Sequence, residues 1–88
     1  MRRGEVRLVD FEPVRGVVTV VPLTCNTEKV YAFQVLLPVP LAGLRIDSKA
    51  QAEQVRSVAV ERVSVALGRL PAAVMAVIDD ALRLHLAL

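Results

Sequence analysis

Apolar and polar positions alternate every second residue over most of this chain, and settle into helical spacing only near its C-terminal end. Residues 5–11 alternate loosely. Val6 and Leu8 fall on one face, Arg7, Val9 and Phe11 on the other, which predicts a first strand. Residues 12–16 follow as a turn, punctuated by Pro13 and Gly16. Residues 17–23 are an almost unbroken β-branched run, the pattern of a strand buried on both faces. Residues 24–29 are polar and predict a loop. Residues 31–37 predict another strand, stopped by Pro38 and Pro40, and residues 41–47 a connection around Gly43.

Residues 48–67 carry two conflicting signals. Lys49, Ala50, Gln51, Ala52, Glu53 and Gln54 are good helix formers, and on propensity alone residues 49–56 read as a helix. Val58 and Val60, then Val63, Val65 and Leu67, alternate as strands do. Gly68 closes the region, and Pro71 stands where a first helical turn tolerates proline. Residues 71–86 predict the one clear helix. Val74, Val77, Ile78, Ala81, Leu82 and His85 lie at helical spacing, with Asp79, Asp80 and Arg83 opposite. The pattern is mainly β with a C-terminal helix.

A chain of 88 residues makes one domain and is marginal alone. Hydrophobic residues make up 55% and aromatics only 3%. That excess of Val, Leu and Ala predicts apolar surface left for a partner, read here as a homodimer interface; a monomer with a Val-rich core is the alternative. The formal charge of +2 and pI of 9.2 are compatible with nucleic acid without pointing to it. Most of the positive charge is arginine, whose planar fork suits phosphate. Cys25 is the only cysteine, which fits a reducing cytoplasm. No signal peptide is expected, and no apolar run reaches the ~18 residues of a membrane helix.

Candidate chemistry is sparse. There is no Gly-rich phosphate loop, HExxH, CxxC or nucleophile elbow, so no metal and no cofactor are expected. His85 is the only histidine and reads as a helix residue partly packed against the domain. Asp79 and Asp80 are adjacent on a helix and cannot face each other, so they read as a solvated face. Cys25 reads as a small buried hydrophobe. Thr24 ends the apolar run and opens the polar loop. Its hydroxyl either donates to a phosphate oxygen or bonds nearby backbone. Glu53 and Gln54 either read a base edge or belong to a solvated face.

Several blocks in fixed order give these residues more meaning. Arg3-Gly4-Glu5-Val6 opens the first, which runs to Gly16. Residues 17–27 form the second, with Phe33-Gln34-Val35 after it. Ala52-Glu53-Gln54-Val55-Arg56-Ser57 lies inside the third, and Gly68-Arg69-Leu70-Pro71 leads the helix. This order resembles the MazF-type (PemK-like) toxin endoribonucleases of bacterial toxin–antitoxin systems and covers nearly the whole chain. The resemblance implies a small, curved SH3-like β-barrel (the MazF/CcdB type) with a C-terminal helix. It also implies a cytoplasmic homodimer whose groove holds single-stranded RNA. The implied reaction is metal-independent cleavage to a 2′,3′-cyclic phosphate and a 5′-hydroxyl, inhibited by a MazE-like antitoxin. By position, Thr24 matches the catalytic Thr/Ser at the scissile phosphate, Glu53 and Gln54 a base-contacting pair, and Asn26 and Thr27 a loop flanking the RNA. The resemblance also resolves residues 48–67 toward strand, with an irregular turn near residues 59–62.

Two departures stand out. The catalytic arginine of the resembled family lies in an Arg-Pro pair, and this chain has none; Arg7 stands where relatives often carry an aromatic. Arg15 matches the end of the first block and is not that arginine. The first two blocks are also joined directly between Val14 and Val17, where a loop, the Arg-Pro pair and an apolar strand are expected. A segment is therefore expected to be missing there, either as a closed-up gap or as a true deletion. A deletion leaves a non-catalytic homologue that binds antitoxin only. A gyrase-poisoning toxin of the same fold ranks below both, since the chain has no tryptophan.

Overall fold

A computed structural model describes residues 3–9, 17–59 and 63–88. Seven strands precede one helix. They are β1 (Glu5–Val9), β2 (Val17–Val20), β3 (Leu23–Thr24), β4 (Gln34–Leu37), β5 (Ser48–Gln51), β6 (Arg56–Ala59) and β7 (Val63–Arg69), and the helix is α1 (Ala72–Leu86). The expectation of a mainly β chain with a C-terminal helix holds. Residues 10 and 11 of the first expected strand, the turn over residues 12–16, most of the turn near residues 59–62 and the join between Val14 and Val17 lie outside the described residues.

Among the described residues the strands form three antiparallel sheets, β1–β7, β2–β6 and β3–β5–β4. The single strand expected over residues 17–23 is divided. Pro22 has no N–H to give a ladder, so β2 ends at Val20 and pairs with β6, while β3 pairs with β5. Nor is this run buried on both faces: Thr19 is exposed, and Val18, Val20, Val21 and Leu23 are half-buried. The helix suggested by propensity over residues 49–56 does not form. Residues 48–51 are a strand because pairing on both edges outweighs a few tenths of a kcal/mol per residue of helix preference. What remains of that preference is one 3₁₀ turn over Ala52–Gln54.

Register divides the β3–β5–β4 sheet into two faces. Leu23, Ala50 and Val35 are paired neighbours across it, as are Thr24, Lys49 and Leu36 in the next row. Successive residues point to opposite faces. The first row, with Leu37, is the inner one: Val35, Leu37 and Ala50 join Ala52, Leu70, Ile78 and Ala81 in the core, and Leu37 has no exposed surface. The helix closes that core by packing on β4 and on the 3₁₀ turn. Thr24, Lys49 and Leu36 share the outer face.

Strand β7 is bent twice against β1, where the register slips between Val6 and Arg7 and again between Arg7 and Val9. The connection over Leu41–Gly43 lies backbone to backbone on the first of these bends. A Cβ on Gly68 would meet the Ala42 carbonyl oxygen at 2.3 Å, and one on Gly43 would meet the Leu67 carbonyl oxygen at 2.5 Å. Gly43 also has a left-handed φ of 76°.

Three readings of single side chains are corrected by the packing. His85 is exposed, because the helix turns Ile78 and Ala81 inward and its last turn, from Arg83 onward, is exposed throughout. Cys25 is exposed on the loop after β3. Asp79 is half-buried and pairs with Arg3 from the start of β1, while Asp80 makes an exposed pair with Arg83 at 2.9 Å. The hydrogen bond and charge of Arg3 hold the Asp79 carboxyl below its usual range, and Asp79 raises Arg3. A lowered folded value means stability that is present above the ordinary carboxylate pKa and lost as pH falls through the lowered one. Asp79→Asn is therefore expected to unfold at lower urea concentration than the parent at pH 7. The difference should be small, shrink in high salt and close below about pH 4; equal midpoints at pH 7 and low salt would count against the pair.

Candidate RNA-binding and catalytic site

The outer face of β3–β5–β4 is where the candidate residues gather, and the loop between β3 and β4 folds over it. Thr24 is half-buried at the end of β3. Its Oγ1 accepts the Asn26 backbone N–H at 3.3 Å, and the Asn26 Oδ1 accepts the Glu28 N–H at 3.4 Å. The backbone-bonded reading of Thr24 is thus met. That bond uses an oxygen lone pair and leaves the hydroxyl proton free to donate, so the same threonine keeps its capacity to bind a phosphate oxygen.

Lys49 faces Thr24 across the β3–β5 pair. Directly opposed residues hold their Cβ atoms about 5 Å apart on one face. Lys49 is 8% exposed, and its Nζ donates to the Lys29 carbonyl at 2.6 Å. Around it opens a depression of about 280 Å³ lined by Asn26, Glu28, Lys29, Tyr31 and Lys49. Four of these five are exposed and Lys49 is buried, so Lys49 is the floor. Tyr31 stacks on Phe33 with ring centroids 5.5 Å apart and remains half in solvent.

Glu53 and Gln54 lie roughly 10 Å further along β5, by the rise of two strand and two 3₁₀ residues. Glu53 turns inward. Gln34 Nε2 donates to its Oε2 at 2.6 Å, and Gln34 Oε1 accepts the Tyr31 N–H at 3.1 Å. Buried Gln34 thereby ties the depression's wall to Glu53. The Glu53 Oε1 is buried without a partner, while Gln54 is exposed. Of the candidate residues, Asn26 alone lines the depression; half-buried Thr24 and Thr27, Glu53 and Gln54 do not. Thr24 is joined to Asn26 by a hydrogen bond, and Glu53 is linked through Gln34 to Tyr31 on the depression's wall. Among the described residues no group of three His, Cys, Asp or Glu side chains stands close enough together to hold a metal ion.

Lys49, Tyr31 and Gln34 are site residues that sequence reasoning missed. Lys49 was hidden among helix formers. Tyr31 is the chain's single tyrosine, next to a polar loop, and that was the available signal. Nothing local marks Gln34, whose importance comes from a contact 19 residues away.

A β framework closed by a C-terminal helix has counterparts among known proteins. The PemK-like, MazF-like toxin family of type II toxin–antitoxin systems matches residues 10–86. Endoribonuclease MazF9 of Mycobacterium tuberculosis (strain ATCC 25618 / H37Rv) is 44% identical over 115 residues, taking in 100% of this chain and 98% of that protein. The chain belongs to the PemK-like, MazF-like toxin family. Solved structures agree on the fold. An endoribonuclease in complex with its cognate antitoxin, from a mycobacterial species, superposes with a TM-score of 0.79 at 20% identity, over 98% of this chain and 94% of that one. The M. tuberculosis toxin MazF-mt6 gives 0.76 at 19% identity, over 96% and 87%. Setting the 88 residues of this chain against the 115 aligned to MazF9 leaves at least 27 aligned positions without a counterpart here.

Gln34→Leu tests the tie between the two halves of the site. It strands the Tyr31 N–H and a partly buried carboxylate, which costs about 2 kcal/mol. Urea unfolding is expected to show that loss, and adding Glu53→Gln to recover part of it by removing the unpaired charge. An unchanged midpoint for Gln34→Leu would show the tie to be dispensable.

Proposed function

We propose that this chain is a toxin endoribonuclease that cuts single-stranded RNA at a short sequence and is silenced by a cognate antitoxin. The observation that carries the reading is the 44% identity with an endoribonuclease across the whole chain. In this reading the RNA lies on the outer face of β3–β5–β4. A ribose 2′-hydroxyl attacks the adjacent phosphorus, and the 5′-oxygen leaves with a proton. The products are a 2′,3′-cyclic phosphate and a 5′-hydroxyl, and no metal or cofactor takes part. Thr24 donates its hydroxyl proton to a non-bridging oxygen where negative charge develops. Exposed Gln54 contacts a base directly, and Glu53 makes a second contact once its buried, unpaired oxygen is uncovered. Asn26 and Thr27 flank the strand, and Tyr31 offers its half-exposed ring to a base.

The working form is a cytoplasmic homodimer. Leu36, Val39 and Ile46, Val77 and Leu84 on the helix, and Leu88 after it are all more than two-fifths exposed, as expected of surface that a second copy covers. A MazE-like antitoxin with an acidic segment fits the basic charge balance. Among the described residues no helix is long and apolar enough to cross a membrane. In this reading a segment is absent at the join between Val14 and Val17 and would carry the missing Arg-Pro pair; an alignment of 115 positions against 88 residues leaves room for it.

The test is Thr24→Val, which keeps the shape of the side chain and removes its proton. Cleavage of a defined RNA is expected to fall at least about 10²-fold while dimerisation and antitoxin binding persist. Cleavage at the parent rate would refute the role of Thr24. The natural product's intact mass addresses the join. A mass well above 9.6 kDa identifies a closed-up gap, whereas 9.6 kDa together with antitoxin binding and no cleavage identifies a non-catalytic homologue.

A further inference from the structure

We propose that Lys49 is a catalytic residue of this chain, the cation that contacts the scissile phosphate beside Thr24. The inference rests on the RNA-cleaving reading above and adds to it the residue that supplies positive charge at the phosphate. Three features of Lys49 point to it.

The first is burial without an opposite charge. Lysines are almost never this buried unless paired. Lys49 is 8% exposed, yet it has no carboxylate within 4.0 Å among the described residues, and the acceptor its ammonium contacts is the neutral carbonyl of Lys29. An ammonium has three protons to donate. One is used by Lys29, and the others face the depression or remain unmet. A phosphate anion entering there would supply the missing charge through hydrogen bonds about twice as strong as neutral ones.

The second is position. The β3–β5 register sets Lys49 directly opposite Thr24 on the same face. A hydroxyl and an ammonium whose Cβ atoms lie about 5 Å apart can reach two oxygens of one phosphate. The third is the balance of the rim. Glu28 and Lys29 are both exposed on it and oppose each other in charge, so Lys49 sets the sign of the floor. Asn26 and Tyr31, the remaining lining residues, are neutral. The role follows from where the charge sits: a fixed cation gains most where the phosphate becomes more negative on the way to the cyclic product. The 88-residue sequence has no Arg-Pro pair, and among the described residues of this face Lys49 is the buried cation.

The experiment has one arm that needs no RNA. Inorganic phosphate is titrated into the unaltered protein while the Lys49 side-chain NMR signal is followed. That signal is expected to move saturably, and a signal that stays still through the titration overturns the anion site. The second arm compares cleavage of a defined RNA by the parent, Lys49→Met and Lys49→Arg, with folding checked by circular dichroism. Lys49→Met keeps the apolar stem and is expected to lose about 10²-fold in kcat/KM, mostly in kcat. Its binding to a non-cleavable 2′-deoxy oligonucleotide should show a salt slope shallower by about 0.7. Lys49→Arg should restore the slope and part of the rate. Lys49→Met cleaving at the parent rate, or binding with the parent slope, overturns the proposal even if phosphate moves the signal. Failure of Lys49→Met to fold leaves Lys49→Arg and the phosphate titration to decide. A parent protein that never cuts RNA refutes the RNA-cleaving reading and the catalytic role with it. The phosphate arm then still decides whether Lys49 is an anion site.

Discussion

Strand β5 is paired on both edges, and the arrangement of the molecule follows from that pairing. Four residues long, it holds β3 on one side and β4 on the other. Because alternate residues point to opposite faces, the double pairing sends Ala50 into the core between Leu23 and Val35, and Lys49 outward between Thr24 and Leu36. A slip of one residue would exchange these rows, placing an ammonium in the apolar core and emptying the outer face of its cation. The stability of the fold and the chemistry of its surface therefore rest on one register.

The outer face is unusual in being partly buried. The loop after β3 lies across it, and its hydrogen bonds run down to the strand beneath, from Tyr31 to Gln34 and from Lys49 to Lys29. Loops over a sheet commonly cover apolar side chains. Here the buried groups include a lysine and a glutamine, each bonded to the loop, and one oxygen of Glu53 that is left without a partner at a cost.

Much of the architecture could be read from the residues because it is written in local terms. Pro71 and the spacing of Ile78 and Ala81 announce the helix, and β-branched runs announce the strands. What failed was decided by distant contacts. Residues 49–54 look helical because Lys, Ala, Gln and Glu are good helix formers, and only the two neighbouring strands overrule them. Periodicity placed His85 on the apolar side of the helix, yet it is exposed while Ile78 and Ala81 are buried. Thr24, Asn26 and Glu53 are candidates through ordered blocks of sequence and not through any property of their own. Lys49 needed the register, since nothing in its neighbours in sequence says that it stands opposite Thr24.

The exposed thiol of Cys25 gives this surface a natural reporter. It is the chain's only cysteine and adjoins Thr24, on the loop that carries Asn26. A thiol-directed fluorophore would attach at one place and no other, without any residue being replaced. Its emission would register the arrival of a nucleic acid or a protein partner as a change in the local polarity of the loop. A thiol so placed also makes the protein sensitive to handling. Two molecules exposed to air can join through it and bring two loops face to face, so a preparation kept reduced and one left to oxidise would present different surfaces to the same ligand.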